Sequence, residues 1–272
     1  MRHFLIIILI FIIPIIPTIA QPNQPIGAKS LSMGGVSLLP ADFWSVFNNQ
    51  AGLTTQNNWA AGFAYDNYLG LDKNLSLKSG AVIIPTNSGV FGLTLNYYGY
   101  AAYNEQKIGL AYGKLLSDIF SVGLQIDYVS VSIGNEYGHA GAFTFEIGIL
   151  AKISDELQIA SHIYNPFMVK LGKVNPESTP AIFKLACAYK IDQNLLLLTE
   201  YEQCNISTGI IKLGIEYHLI EDFFVRGGLS TNPNLFSFGL GIKLNGFNID
   251  FGSSYHQILG FSPKASVYYC FK

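Results

Sequence analysis

Charge is scarce in this chain of 272 residues. Lys, Arg, Asp and Glu make up only 12% of it, where roughly a quarter is usual for a soluble domain. Sixteen basic residues against eighteen acidic ones leave a formal net charge of −2. There is no basic stripe and no arginine cluster, which excludes nucleic acid as a partner. Cysteine is sparse too. Cys187, Cys204 and Cys270 form an odd set without metal-ligand spacing. They read as small apolar residues, two of them on lipid-facing parities, rather than as a disulfide or a metal site. Long apolar runs are missing beyond the N-terminus. No later stretch reaches about 18 consecutive apolar residues, which excludes a helical membrane span there.

The first twenty residues stand apart. Arg2 and His3 give a short basic start, residues 4–16 are apolar apart from Pro14, and Thr18 and Ala20 offer small residues for a peptidase. This is the pattern of a secretory signal peptide over 1–20, cleaved before Gln21. A transmembrane helix is the competing reading, but the run is shorter than the ~20 residues a bilayer crossing needs and is interrupted by proline.

What the chain does have is alternation. Half of it is hydrophobic and 14% is aromatic. From residue 59 onward the apolar residues fall on every second position: Phe91, Leu93, Leu95 and Tyr97 interleave with Gly92, Thr94, Asn96 and Tyr98, and Phe236, Phe238, Leu240 and Ile242 with Ser237, Gly239, Gly241 and Lys243. A period of two sends one set to each face of a β-strand. A soluble sandwich would bury the apolar set against a second sheet; a membrane barrel turns it to lipid and keeps the polar set in the lumen. The low charge and the export signal favour the second. The expected fold is therefore an all-β transmembrane antiparallel barrel of about fourteen strands over residues 57–272. Strands are expected to start near Trp59, Leu75, Gly89, Lys107, Ser121, Ala142, Leu157, Ala181, Asn194, Ile210, Phe223, Leu235, Phe247 and Lys264.

The connections carry the same message. Every second one is short, such as Leu116-Ser117-Asp118, Ile191-Asp192-Gln193 and Asn245-Gly246, the last being a type I′ hairpin signal. Those between are longer, as at 132–141 and 165–180. Outer-membrane barrels combine tight periplasmic turns with larger external loops, and an even strand count puts both barrel ends on the periplasmic side. Residues 21–56 differ from the rest, being rich in Gly, Ser, Pro and Asn, with a short helix expected over 41–47.

Three stretches carry a family resemblance. Gly27-Ala28-Lys29-Ser30-Leu31-Ser32-Met33-Gly34-Gly35 with Phe47-Asn48-Asn49-Gln50-Ala51-Gly52-Leu53 is similar to a "GAR-x-x-x-MGG … NPAGL" opening. Leu213-Gly214-Ile215-Glu216-Tyr217 before Phe224-Val225-Arg226-Gly227-Gly228 resembles a "GxEY … lRxG" hairpin, and Phe238-Gly239-Leu240-Gly241 with Ile249-Asp250 completes the set. The chain thereby resembles the PorV/PorQ group of outer-membrane proteins, relatives of FadL-type transporters, with Gln50 where that group has Pro. The resemblance implies a Bacteroidota-like Gram-negative outer membrane and a hatch motif at Gly34, Gly35, Asn48, Ala51, Gly52 and Leu53.

With the polar parity inward, Asp127, Glu146, Lys152, Lys184, Glu200, Glu202, Lys212, Glu216, Arg226, Lys243, Asp250 and His256 point to the lumen, and Lys212, Glu216 and Arg226 are expected to meet across the tenth and eleventh strands. Such charges either pair for structural reasons or hold the polar end of an amphipathic ligand. The same parity carries many glycines, leaving volume that residues 21–56 are expected to fill as a plug. The histidines, His162 mid-strand among them, have no serine and acid partners at a catalytic spacing and read as surface or interface residues. No cofactor is implied, since Gly239-Leu240-Gly241 lies in a strand and not in a nucleotide loop. The PorV/PorQ resemblance implies a non-enzymatic accessory role in type IX secretion, with secretion or assembly subunits and outer-membrane lipid as partners. The FadL resemblance implies instead a conduit for a hydrophobic or amphipathic small molecule, marked by apolar lining such as Leu196 and Leu198.

Overall fold

The computed structural model describes residues 24–67, 76–134, 138–171, 177–258 and 260–271. The expected signal peptide, the second strand's expected start at Leu75, and parts of the longer connections lie outside the described residues. Fourteen strands close into one antiparallel barrel. In chain order they are β1 (Ala60–Asn67), β2 (Ser76–Thr86), β3 (Gly89–Tyr100), β4 (Tyr103–Leu115), β5 (Phe120–Ile133), β6 (Gly138–Lys152) and β7 (Leu157–Tyr164). After the two-residue strands β8 (Lys170–Leu171) and β9 (Glu177–Ser178), which pair only with each other, come β10 (Ile182–Lys190), β11 (Leu195–Cys204) and β12 (Ile210–Ile220). The wall ends with β13 (Phe223–Ser230), β14 (Leu235–Leu244), β15 (Phe247–His256) and β16 (Gly260–Cys270). Each strand pairs with its sequence neighbour. The seam between β1 and β16 runs from Ala60↔Cys270 to Asp66↔Lys264 and leaves no free edge within the wall.

Alternation becomes sidedness. On β3, Leu93 and Leu95 are 47% and 51% exposed, whereas Thr94 between them is fully buried. Phe143, Phe238 and Phe251 behave like the leucines on their own strands. A closed wall that satisfies its backbone internally and shows apolar side chains outward is the β structure that hydrocarbon accepts. At the end of the barrel that carries the short turns, Asn245 and Gly246 take φ of 48° and 89°, so both central residues of that turn are left-handed, as a type I′ turn requires. Other turns are tied by side chains: the Asp192 carboxylate accepts from the N–H groups of Asn194 and Leu195, and Ser154 Oγ accepts from those of Glu156 and Leu157.

Three strands start earlier than alternation indicates, at Tyr103, Gly138 and Gly260 in place of Lys107, Ala142 and Lys264. The added residues, 103–106, 138–141 and 260–263, are mostly glycine and polar residues. The ladder of backbone hydrogen bonds continues there without any apolar periodicity. β3 to β6 therefore rise as the tallest part of the wall, at 12 to 15 residues against 8 to 11 in β7 and β10 to β16.

The cysteines need one correction. Cys187 lies on an outward parity, but Cys204 is buried inward and Cys270 packs on an interior cluster. One residue, not two, faces outward, because β11 and β16 run with their even-numbered side chains inward. All three are free thiols.

Candidate functional site

The lumen contains residues 24–56. This stretch holds α1 (Ala28–Ser32), α2 (Ser45–Asn48) and a 3₁₀ turn (Gln50–Thr55). The helix expected over 41–47 begins later, because residues 42–44 form a capping turn. There Asp42 Oδ1 accepts from the Trp44 N–H, and Ser45 Oγ accepts from that of Asp42.

Glycines on the wall make room for this segment. A Cβ on Gly62 would meet the Phe43 ring at 2.6 Å, one on Gly92 would meet Val46 at 2.4 Å, and one on Gly148 would meet Asn49 Oδ1 at 2.1 Å. On the other side, Gly214 and Gly228 lie against Met33 and Gly34, and Gly239 and Gly252 against Ser32. Two apolar clusters fill the space between. Phe43, Trp44, Val46, Phe47 and Leu53 pack toward β1 to β4, with Phe43 stacked on Tyr268 at 4.9 Å. Met33, Val36, Leu38, Leu39 and Ala51 pack on Leu150, Leu198 and small residues of β7 and β10.

The residues of the hatch motif have distinct local roles. Gly34 and Gly35 have φ of +70° and +81°, and a Cβ on Gly34 would stand 2.4 Å from the Leu229 carbonyl oxygen. Asn48 clasps Ile26 twice: its Oδ1 accepts from the Ile26 N–H and its Nδ2 donates to the Ile26 carbonyl. Ala51 and Leu53 are fully buried, and Gly52 packs on Ser45. Gln50 reaches into the wall, where its Nε2 donates to Glu146 Oε2 at 2.9 Å and to Gln125 Oε1 at 3.2 Å.

Three groups of buried charge line the interior. In the first, Lys107 Nζ lies 2.6 Å from Glu146 and 4.0 Å from Asp127, and His162 Nε2 lies 3.0 Å from Glu146. In the second, Lys212 bridges Glu200 and Glu202 at 2.8 and 2.6 Å, and Lys184 stands 3.7 Å from Glu202. Glu200 Oε2 also accepts the N–H groups of Ser37 and Leu38, at 2.7 and 2.9 Å. In the third, Arg226 joins Glu216 and Asp250, each at 2.6 Å, while Lys29 of α1 spans Asp42 and Glu216 at 3.2 and 3.7 Å. Burial alone would lower the Lys29 pKa, but Glu216 and Asp42 outweigh it and hold the ammonium above its ordinary value.

The register explains who meets whom. Glu216 is paired directly with Arg226 and Glu200 with Lys212. Lys212 does not join Glu216 and Arg226 as the sequence leads one to expect, since four residues along β12 separate it from Glu216 by about 13 Å. Asp127, Glu146, Lys184, Glu200, Glu202, Lys212, Glu216, Arg226 and Asp250 are all buried. Lys152 and Lys243 lie at the short-turn rim and His256 at the opposite one, where each meets solvent. His162, expected at a surface or interface, is 1% exposed and belongs to the first charge group. Sequence reasoning also passed over Lys107, Lys29, Asp42 and the Asp66–Lys264 pair at 2.8 Å. The inward parity that Lys107 shares with Gly109 and Ala111 was the available signal.

Among the described residues, no set of three His, Cys, Asp or Glu side chains is placed to hold a metal ion. The chain matches no family model and no curated protein. Its backbone, however, is similar to solved barrels. A FadL homologue from Pseudomonas aeruginosa covers 92% of this chain and 100% of its own at a TM-score of 0.65 and 13% identity. The Pseudomonas putida toluene transporter TodX covers 90% and 98% at 0.67 and 12%. A TodX mutant described as a monoaromatic hydrocarbon channel gives 0.68 and 12% over the same shares. The TodX structures are named as a transporter and a channel, and nothing among these neighbours points to the PorV/PorQ group. The fold is thus that of the FadL-type barrels: closed, antiparallel and fourteen-stranded.

Proposed function

We propose that this protein is an outer-membrane conduit for hydrophobic or amphipathic small molecules, closed at rest by residues 24–56 acting as a plug. Its place would be the outer membrane of a Gram-negative bacterium, with lipid against the exposed apolar face. The observation that carries the reading is an apolar seam between the internal segment and the β6, β7, β10 and β11 side of the wall. Leu38, Leu39 and Met33 of the internal segment face Leu150 and Leu198, with Leu196 packed beside them, and Leu196 also lines a recess at the periplasmic end. The seam is close-packed, with Met33, Leu38 and Leu39 fully buried, and in this reading it is the line along which the segment parts from the wall to admit an apolar molecule. An accessory role in secretion has less support: the TodX neighbours in fold are named as a channel and a transporter, and the longer connections, such as 132–141 and 165–180, are short in sequence for holding a large partner.

The test is uptake in whole cells. The outer leaflet resists hydrophobic solutes, so N-phenyl-1-naphthylamine should brighten faster in a Gram-negative host expressing this protein than in one expressing an unrelated barrel. Hydrophilic solute entry should not rise. Equal stimulation of both kinds of solute would describe an open pore, and no stimulation of either would remove the conduit reading.

A further inference from the structure

The wall changes height abruptly between β6 and β7. β5 and β6 are paired along their whole length, from Phe120↔Ala151 to Ile133↔Gly138. β6 and β7 pair only from Lys152↔Gln158 to Glu146↔Tyr164. Above that level one further bond, from the Asn165 N–H to the Phe145 carbonyl at 2.9 Å, closes the ring. The rest of β6, back to Gly138, stands above the closed ring with its β7 side open. The Phe145 bond shows that odd-numbered residues of β6 turn their backbone groups toward β7. The Lys152 N–H, bonded to the Ile119 carbonyl, shows that even-numbered ones serve β5. The N–H and C=O groups of His139, Gly141 and Phe143 therefore form an open strand edge, and among the described residues nothing pairs with them.

Nothing in the sequence blunts this edge. Exposed edges are normally protected by lysine, proline or a bulge. Residues 138–145 contain no Lys, Arg, Asp, Glu or Pro, and their register with β5 runs without a shift. The stretch also lies beyond the apolar band. Its outward neighbours on β4 and β5 are Asn104, Gln106, Ser130 and Ser132, and the band ends at the aromatic pair of Tyr128 and Phe143. Water, not hydrocarbon, meets the edge. At its foot the outward face is apolar: Phe143 and Phe167 are 60% and 74% exposed, and Phe167 stands edge-on to Phe145. On the lumen face, the small side chains of Ala140 and Ala142 leave room for larger ones on an added strand.

We propose that the upper edge of β6 is a docking site for an extended polypeptide, which adds to the wall as an antiparallel strand over His139 to Phe143. The backbone row selects the occupant: donors and acceptors at strand spacing match another extended main chain. The neutral edge and the phenylalanine foot favour an uncharged segment in which polar and apolar residues alternate. A second copy of this chain does not fit. Barrels inserted the same way round bring their β6 strands parallel, and two-fold symmetry would set each bonding residue against its own copy. A parallel ladder needs the bonding residues to alternate between the strands. The site is separate from the conduit and does not depend on it, since the edge lies above the closed ring.

The experiment is residue-resolved amide hydrogen exchange on the full mature protein in nanodiscs that hold a single barrel. The probe is a capped peptide of alternating threonine and valine, about six residues long, raised to millimolar concentration. Without peptide, the amides of His139, Gly141 and Phe143 should exchange fast, and those of Ala140 and Ala142, bonded to β5, slowly. With peptide, the odd-numbered amides should slow by roughly tenfold and the even-numbered ones should not change. F143P removes one N–H on the open side, where an edge strand tolerates proline. It should weaken a fluorescent form of the peptide by roughly five- to tenfold. F143A keeps that N–H and should weaken it by no more than about threefold. Slow odd-numbered amides without peptide would mean that the chain itself covers the edge, and would overturn the proposal. So would unchanged exchange at millimolar peptide, or a loss in F143A equal to that in F143P, which would assign binding to the ring and not to the backbone. Heat-modifiable gel mobility identifies the folded barrel in each variant, and the wild-type exchange result is decisive if F143P does not fold.

Discussion

Gly227 and Gly228 are adjacent on β13 and face opposite ways, so together they test whether the internal segment is seated as described. A Cβ on Gly228 would stand 2.1 Å from the Gly34 nitrogen and 2.2 Å from the Met33 carbonyl carbon. Both are backbone atoms that no side-chain rotation can move. Ordinary carbon contacts lie near 3.5–4.0 Å, so the segment would have to retreat by more than roughly 1 Å. Gly227 faces outward, where a Cβ would meet nothing nearer than Ile215 Cγ2 at 3.5 Å. Overpacking of this kind costs about 1–3 kcal/mol. G228A should therefore lower the unfolding midpoint in urea and raise single-channel conductance in planar bilayers, because the Met33–Gly35 turn is displaced from the wall. G227A should leave both unchanged. The two variants share a substitution, a strand and a strand propensity, so the difference isolates the lumen contact. If G228A matched G227A in both measurements, the segment would not occupy the lumen at Gly228, and the plug would have to be abandoned.

Further predictions concern the anchors and the turn. E200A removes the acceptor of the Ser37 and Leu38 N–H groups and one of the two carboxylates on Lys212. Breaking a buried network of this kind costs on the order of 3–5 kcal/mol, to be read from urea unfolding, with faster proteolysis of the N-terminal segment in the folded barrel. F43A deletes the ring stacked on Tyr268 and edge-on to Trp44. A loss of about 3–5 kcal/mol should appear with a weakened near-ultraviolet circular dichroism signal, and an unchanged spectrum would argue against this packing. G246A places a side chain at φ +89°, with its Cβ 2.9 Å from the Tyr269 ring. A cost of roughly 1–2 kcal/mol and slower barrel assembly are expected, whereas assembly at the wild-type rate would speak against a type I′ turn.

The sequence alone determined the wall. A period of two maintained over so many segments fixes which side chains share a face, and scarcity of charge fixes which face meets lipid. Short and long connections in alternation then fix the up-and-down order. All fourteen strands are legible for that reason, and the early starts at Tyr103, Gly138 and Gly260 are missed because backbone ladders persist where side-chain periodicity has ended. Parity likewise put Glu200, Glu216, Arg226 and Asp250 on the interior face.

Only the tertiary structure decided which charges pair and what they hold. Lys212 turns to Glu200 and Glu202, not to Glu216, because partnership across a sheet depends on register, which local sequence does not encode. His162 and Lys107 join Glu146, and Gln50 reaches the same carboxylate from 96 positions away. That Lys243 lacks a carboxylate partner among the described residues follows from the same cause: partners are assigned only by the closed barrel. Periodicity is a property of neighbouring residues, whereas pairing and leftover space are properties of the closed cylinder.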